Sequence, residues 1–218
     1  MPSYRWPAGH VGAGYNDHVA EIARCHQKFN FEWRNLHGWA PPEAAQMLAD
    51  ARLDWLASLA ECLKLFSPPQ KDGDFGRLIL AWTTLGSLLE GSMKFFLAVY
   101  YEDFKNTFSG AIPAPAIRSS KLWDRKAGRP NTPEAAQLND LKEFFKLHVW
   151  ELDAAECERL MEFVGIVQQR RNAIHAFKTR ELGNWPEFEC ATKQYAEFIS
   201  DKIAGSLPDL PSDQGHQP

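Results

Sequence analysis

At 218 residues the chain is long enough for one domain with a substantial core. Hydrophobic residues make up 44% and charged residues 24%, the balance of a soluble globule rather than of a disordered or membrane-embedded chain. A formal net charge of −4 excludes a molecule that grips nucleic acid through its overall charge, so any RNA contact must come from a local basic patch.

Cys25, Cys62, Cys157 and Cys190 form no C-x-x-C pair and read as reduced thiols packed on helices. The first 14 residues carry no apolar signal segment and are expected to be a flexible lead-in. No apolar run approaches the ~20 residues that span a bilayer. The expectation is a cytoplasmic protein without membrane contact.

Helical periodicity dominates and strand signals are almost absent, which predicts an all-α fold: a single bundle of about six helices over residues 15–205. The first helix is expected at about 17–35, with Val19, Ile22, Ala23 and Phe29 on its apolar side. Pro41-Pro42 starts a second at about 42–66, because proline is tolerated in a first turn. The third, about 74–108, is apolar on more than one face and reads as the central helix. Residues 109–131 read as a long basic loop, after which Thr132-Pro133-Glu134 is expected to open a fourth helix reaching about 150. Asp153 caps a fifth, about 154–178, and Asn184-Trp185-Pro186-Glu187 resembles a capping box opening a sixth to about 204. Residues 206–218 are expected to be a disordered tail.

The densest chemistry lies in the fifth helix, in Gln168-Gln169-Arg170-Arg171-Asn172-Ala173-Ile174-His175. At about 100° per residue, Arg170 shares a side with Phe163, Val167, Ile174 and Phe177 and should face the core or its edge. A guanidinium there needs an anionic partner. Glu90, inside the apolar run of the third helix, is one candidate; a local Glu90–Lys94 pair at i,i+4 is the competing use of that carboxylate. Arg171, Asn172 and His175 fall on the polar side, where Arg171 and His175, four apart on an unbroken helix, can converge on one anion. Arginine offers a charged planar fork for phosphate oxygens, and histidine can give or take a proton near neutral pH. The same residues also read as a solvated face carrying a chance histidine.

This run resembles the R-x4–6-H signature of HEPN domains (higher eukaryotes and prokaryotes nucleotide-binding), and the segment around Glu90 is similar to that family's central helix with an embedded acid. The resemblance implies a helical bundle that forms a homodimer along the motif helices. It also implies a metal-independent endoribonuclease without cofactor, of toxin, phage-defence or RNA-processing type, or else a non-catalytic dimerisation, nucleotide-binding or scaffold module. Antitoxin or nucleotidyltransferase partners belong to the same expectation. By carry-over, Arg170 and His175 are the motif pair, while Arg171 occupies the position of the usual polar residue and Asn172 comes one later. The expectation is therefore that Arg171 and His175 meet the phosphate while Arg170 braces the helix against Glu90.

In the basic loop, Arg118, Lys121, Arg125, Lys126 and Arg129 surround Trp123, with Asp124 the one acid. Basic residues with an interleaved aromatic can track a single strand of RNA, although a tryptophan in such a loop also serves to anchor it to the bundle. No metal-ligand pattern, phosphate-binding glycine loop or nucleophile elbow is present.

Overall fold

A computed structural model describes residues 14–34, 36, 40–68, 73–109, 113–150, 154–175 and 179–210. Among them nine α-helices form, three more than the six segments expected from periodicity: α1 (Tyr15–Trp33), α2 (Pro42–Asp50), α3 (Leu53–Cys62), α4 (Phe75–Val99), α5 (Tyr101–Asn106), α6 (Pro115–Ser119), α7 (Leu138–His148), α8 (Ala154–Arg171) and α9 (Trp185–Glu197). The fold is all-α. Among the described residues the one strand pair is minimal: β1 (Trp123–Asp124) meets β2 (Arg129–Pro130) antiparallel, with Trp123 opposite Pro130.

α4 is the central helix. Leu85, Leu88, Leu89 and Met93 are fully buried, and α2, α3, α7, α8 and α9 all pack against it. Asp74 opens it by accepting a hydrogen bond from the Arg77 N–H. α1 lies against α3 and α9, and one continuous apolar cluster runs from Tyr15 to Ile203. None of the described helices is long and apolar enough to cross a membrane.

Two expected helices are divided. The second breaks at Ala51–Arg52, where Ala51 is extended (ψ 134°) and the Arg52 carbonyl accepts from Trp55 and Leu56 to start α3. Leu48 and Leu53 are both buried; five residues apart on one straight helix they would point about 140° from each other. The break turns both inward. The third expected helix bends at Tyr100, which lets Phe104 and Phe108 pack on Phe144 of α7 at ring separations of 5.2 and 5.9 Å.

Other boundaries differ as well. Thr132-Pro133-Glu134 opens only a short 3-10 turn, Pro133–Ala135; α7 starts later, on a reciprocal capping box of Gln137 and Asp140. The loop expected at 109–131 contains α6 and the strand pair. At the end of the chain, Leu207 and Leu210 pack against the core and the Tyr100 hydroxyl donates to the Ser206 carbonyl, so residues 206–210 are not the disordered tail expected from composition. The lead-in 1–13 and the tail 211–218 lie outside the described residues. After α9 the chain continues as a π-helical turn, Phe198–Ile203, with Phe198, Ile199 and Ile203 all buried.

Candidate functional site

α8 ends at Arg171. Asn172–Ile174 tighten into a 3-10 turn, and His175 leaves the helix with ψ 77°, its N–H donating to the Asn172 carbonyl at 3.2 Å. The expected helix to 178 is thus shorter, and the i,i+4 geometry proposed for Arg171 and His175 does not hold. His175 is exposed, Asn172 half-buried, and residues 176–178 lie outside the described residues.

The brace on Glu90 expected of Arg170 is made by Arg171 instead. The Arg170 side chain, 10% exposed, pairs with Glu181 and Glu187 rather than with Glu90. Its Nη1 donates to the Glu181 carbonyl at 2.7 Å and lies 3.2 Å from the Glu181 carboxylate, while Nη2 reaches Glu187 Oε2 at 3.1 Å. Glu187 sits in the first turn of α9, positioned by Asn184, whose side chain accepts from the Glu187 N–H at 2.9 Å. Gly183 makes the approach possible. It adopts φ +73°, and a Cβ there would stand 2.3 Å from Glu187 Oε2 and 2.9 Å from Arg170 Nε.

Arg171, not Arg170, is the partner of Glu90. Its Nη1 donates to Glu90 Oε2 at 2.6 Å and to the Gly86 carbonyl at 3.3 Å. Gly86 lets the stem lie flat on α4, since a Cβ at that position would be 2.4 Å from Arg171 Cδ. The other oxygen of Glu90 takes Lys94 Nζ at 2.8 Å, so the local pair and the long-range pair coexist. Burial pulls the Glu90 carboxyl upward, but the hydrogen bonds and charges of Lys94 and Arg171 outweigh it and hold the group below the ordinary carboxylate value. Two cations on one carboxylate leave one positive charge unbalanced. Arg171 remains 30% exposed, and its Nε and Nη2 have no partner among the described residues.

The basic loop stands as a separate patch. Arg118, Lys121, Arg125, Lys126 and Arg129 are all exposed, and Asp124 spends its carboxylate on the N–H groups of Lys126 and Ala127. Trp123 is half-buried and stacks on Phe108 at 5.7 Å, so one face of the indole anchors the loop.

No family model matches the chain, and no curated protein or solved structure matches it.

A second polar assembly was invisible in the pattern of residues. Tyr195 of α9, fully buried, joins His26 of α1 and Ser92 of α4 through its hydroxyl, each at 2.8 Å. Burial pushes His26 down to about 3. With every member satisfied by another, this network fixes three helices in register.

Proposed function

We propose that this chain is an RNA-acting domain of HEPN type, and that the face around Arg171 and His175 binds and cleaves a phosphodiester without a metal. The observation that carries the reading is the Lys94–Glu90–Arg171 cluster: a guanidinium braced by a carboxylate, with an open edge and surplus positive charge, four residues before an exposed imidazole. Such a braced fork suits an anion whose charge grows in the transition state. In the proposed reaction His175 takes the ribose 2′-hydroxyl proton, and the 2′-oxygen attacks phosphorus. The 5′-oxygen leaves with a proton from the histidine of a second copy, giving a 2′,3′-cyclic phosphate and a 5′-hydroxyl end. Pairing of two copies along α8 and α4 is part of the proposal. Phe75 of α4 and Ile174 on the turn after α8 are exposed apolar residues that such pairing would cover. The exposed cations of the 118–129 loop supply a track for the flanking strand. A cytoplasmic location and a protein partner such as an antitoxin complete the reading.

One observation favours a second reading, a non-catalytic dimerisation or nucleotide-binding module. Arg170, the arginine at motif spacing, is occupied inside the chain by Glu181 and Glu187. Incubation with mixed RNA in EDTA separates the two. The first reading requires fragments ending in cyclic phosphate, lost in His175→Ala while helicity and oligomeric state stay unchanged. Cleavage that survives His175→Ala removes the catalytic assignment, and intact RNA at high protein concentration leaves only the binding module.

A further inference from the structure

The break between α2 and α3 opens a groove of about 920 Å3 over α4, bordered by Lys94 of the Glu90 cluster. Its floor is the stripe Gly91, Phe95 and Ala98, continued by Tyr101 of α5. From Gly91 to Ala98 the stripe covers about 10 Å of helix axis at 1.5 Å per residue, the length of two turns of an opposing helix. Met47, Leu56 and Leu59 form the apolar wall, and Trp55, 59% exposed, stands at the edge. A half-open apolar trough of this size, bounded by helices and by Pro133, suits the apolar side of a helix rather than a compact metabolite.

The rim decides the charge of the occupant. Both of its cations are already engaged: Arg52 by Asp54 at 2.6 Å, with its guanidinium 3.9 Å over the Trp55 ring, and Lys94 by Glu90 at 2.8 Å. Of the acids, Glu43 is held by Lys105, but Asp50 meets only the Gln46 amide and Glu134 has no ion-pair partner among the described residues. The unbalanced rim charge is negative. An anionic amphiphile would meet two free carboxylates and no free cation.

We infer that this groove is the docking site for a basic amphipathic helix of a partner protein, which lays its apolar side on Met47, Leu56 and Leu59 and sets its cations against Asp50 and Glu134. The groove shares Lys94 with the proposed RNA site, but binding does not need cleavage: a chain that fails to cut RNA can still bind such a helix.

The test uses the full chain and a labelled synthetic helix of leucine and lysine, beside a twin with glutamate for lysine. Binding is followed by anisotropy of the label and by tryptophan emission. Saturable binding of the lysine helix is expected, with a blue shift that Trp55→Phe removes. The combined change Glu43→Gln, Asp50→Asn and Glu134→Gln should weaken binding about tenfold. Leu59→Glu should abolish it, and Trp55→Glu, at an exposed position, does the same work should Leu59→Glu fail to fold. The proposal is overturned if the glutamate twin binds as tightly as the lysine helix, or if both edge variants bind like the wild type. Dodecanoate filling the groove where the lysine helix does not would make it an acyl-chain site. Self-association lost in Trp55→Glu would assign it to a second copy. Either result also overturns the proposal.

Discussion

α4 carries two polar assemblies that solve the same problem in opposite ways. At Ser92 it joins a dry, neutral chain through Tyr195 to His26, in which every group is buried and partnered. At Glu90, two residues earlier, it joins a half-exposed, charged cluster in which a carboxylate holds Lys94 and Arg171. The first can only hold helices together, because no ligand can reach it. The second can hold helices and still offer hydrogen-bond donors to solvent. The contrast teaches that burial, more than residue type, decides which histidine of this chain is available for chemistry: His26 is locked neutral in the core and His175 stands free at a helix end.

The largest effect should come from the arginine that the site does not use. Arg170→Ala removes a guanidinium from a nearly dry pocket and strands Glu187, and should cost about 3 kcal/mol or more in urea unfolding. Arg171→Ala leaves Glu90 paired with Lys94 and should cost only about 1 kcal/mol. Equal losses would erase the distinction between the two. Next comes Tyr195→Phe, which strands His26 and Ser92 and should cost about 1–3 kcal/mol with helicity retained.

A smaller effect reads the dry network directly. Burial holds His26 at about 3, against an ordinary value of 6.5, so below pH 6.5 the unfolded chain takes up a proton that the folded chain refuses. Stability from this group is complete above 6.5 and falls as the pH drops towards 3, by up to about 1.4 kcal/mol per pH unit. Burial also lowers His148, so the measurement is the difference between the wild type and His26→Gln. Between pH 6.5 and about 5 the variant should show the flatter slope; identical slopes would mean that His26 is protonated in the fold. Glu90 titrates below that window, its contribution being lost only as pH falls through its lowered value. The smallest expected change in stability is that of His175→Ala, within about 0.5 kcal/mol, because the side chain is exposed. RNA cleavage is where that variant should fail.

Helix starts were legible where a residue must do a local job. Pro42, Asp74 and Asn184 each mark one, through a missing donor or a side-chain cap. The interior breaks were not, because nothing in Asp50-Ala51-Arg52 or at Tyr100 forbids helix; packing of Leu48 with Leu53, and of Phe104 and Phe108 on Phe144, imposes them. Periodicity correctly placed Arg170 against the interior but not against which neighbour. The angle of α8 to α4, and the return of 181–187 over Arg170, are tertiary facts that a single helical wheel does not contain. The clue to Glu187 was present in the Asn184 cap, which fixes that carboxylate in space, yet only the fold shows what it faces.

The π-helical turn after α9 sets a rule about chain length. With i→i+5 bonding, Phe198 and Ile203 stack on the same side, and both are buried. Were the turn to tighten to ordinary α-helical spacing with every residue kept, the two would stand about 140° apart and Ile203 would swing towards water; deleting one residue between them would put them four apart, on one side again. A single deletion should therefore be tolerated better here than a further insertion, because the segment measures out a distance rather than spelling a motif.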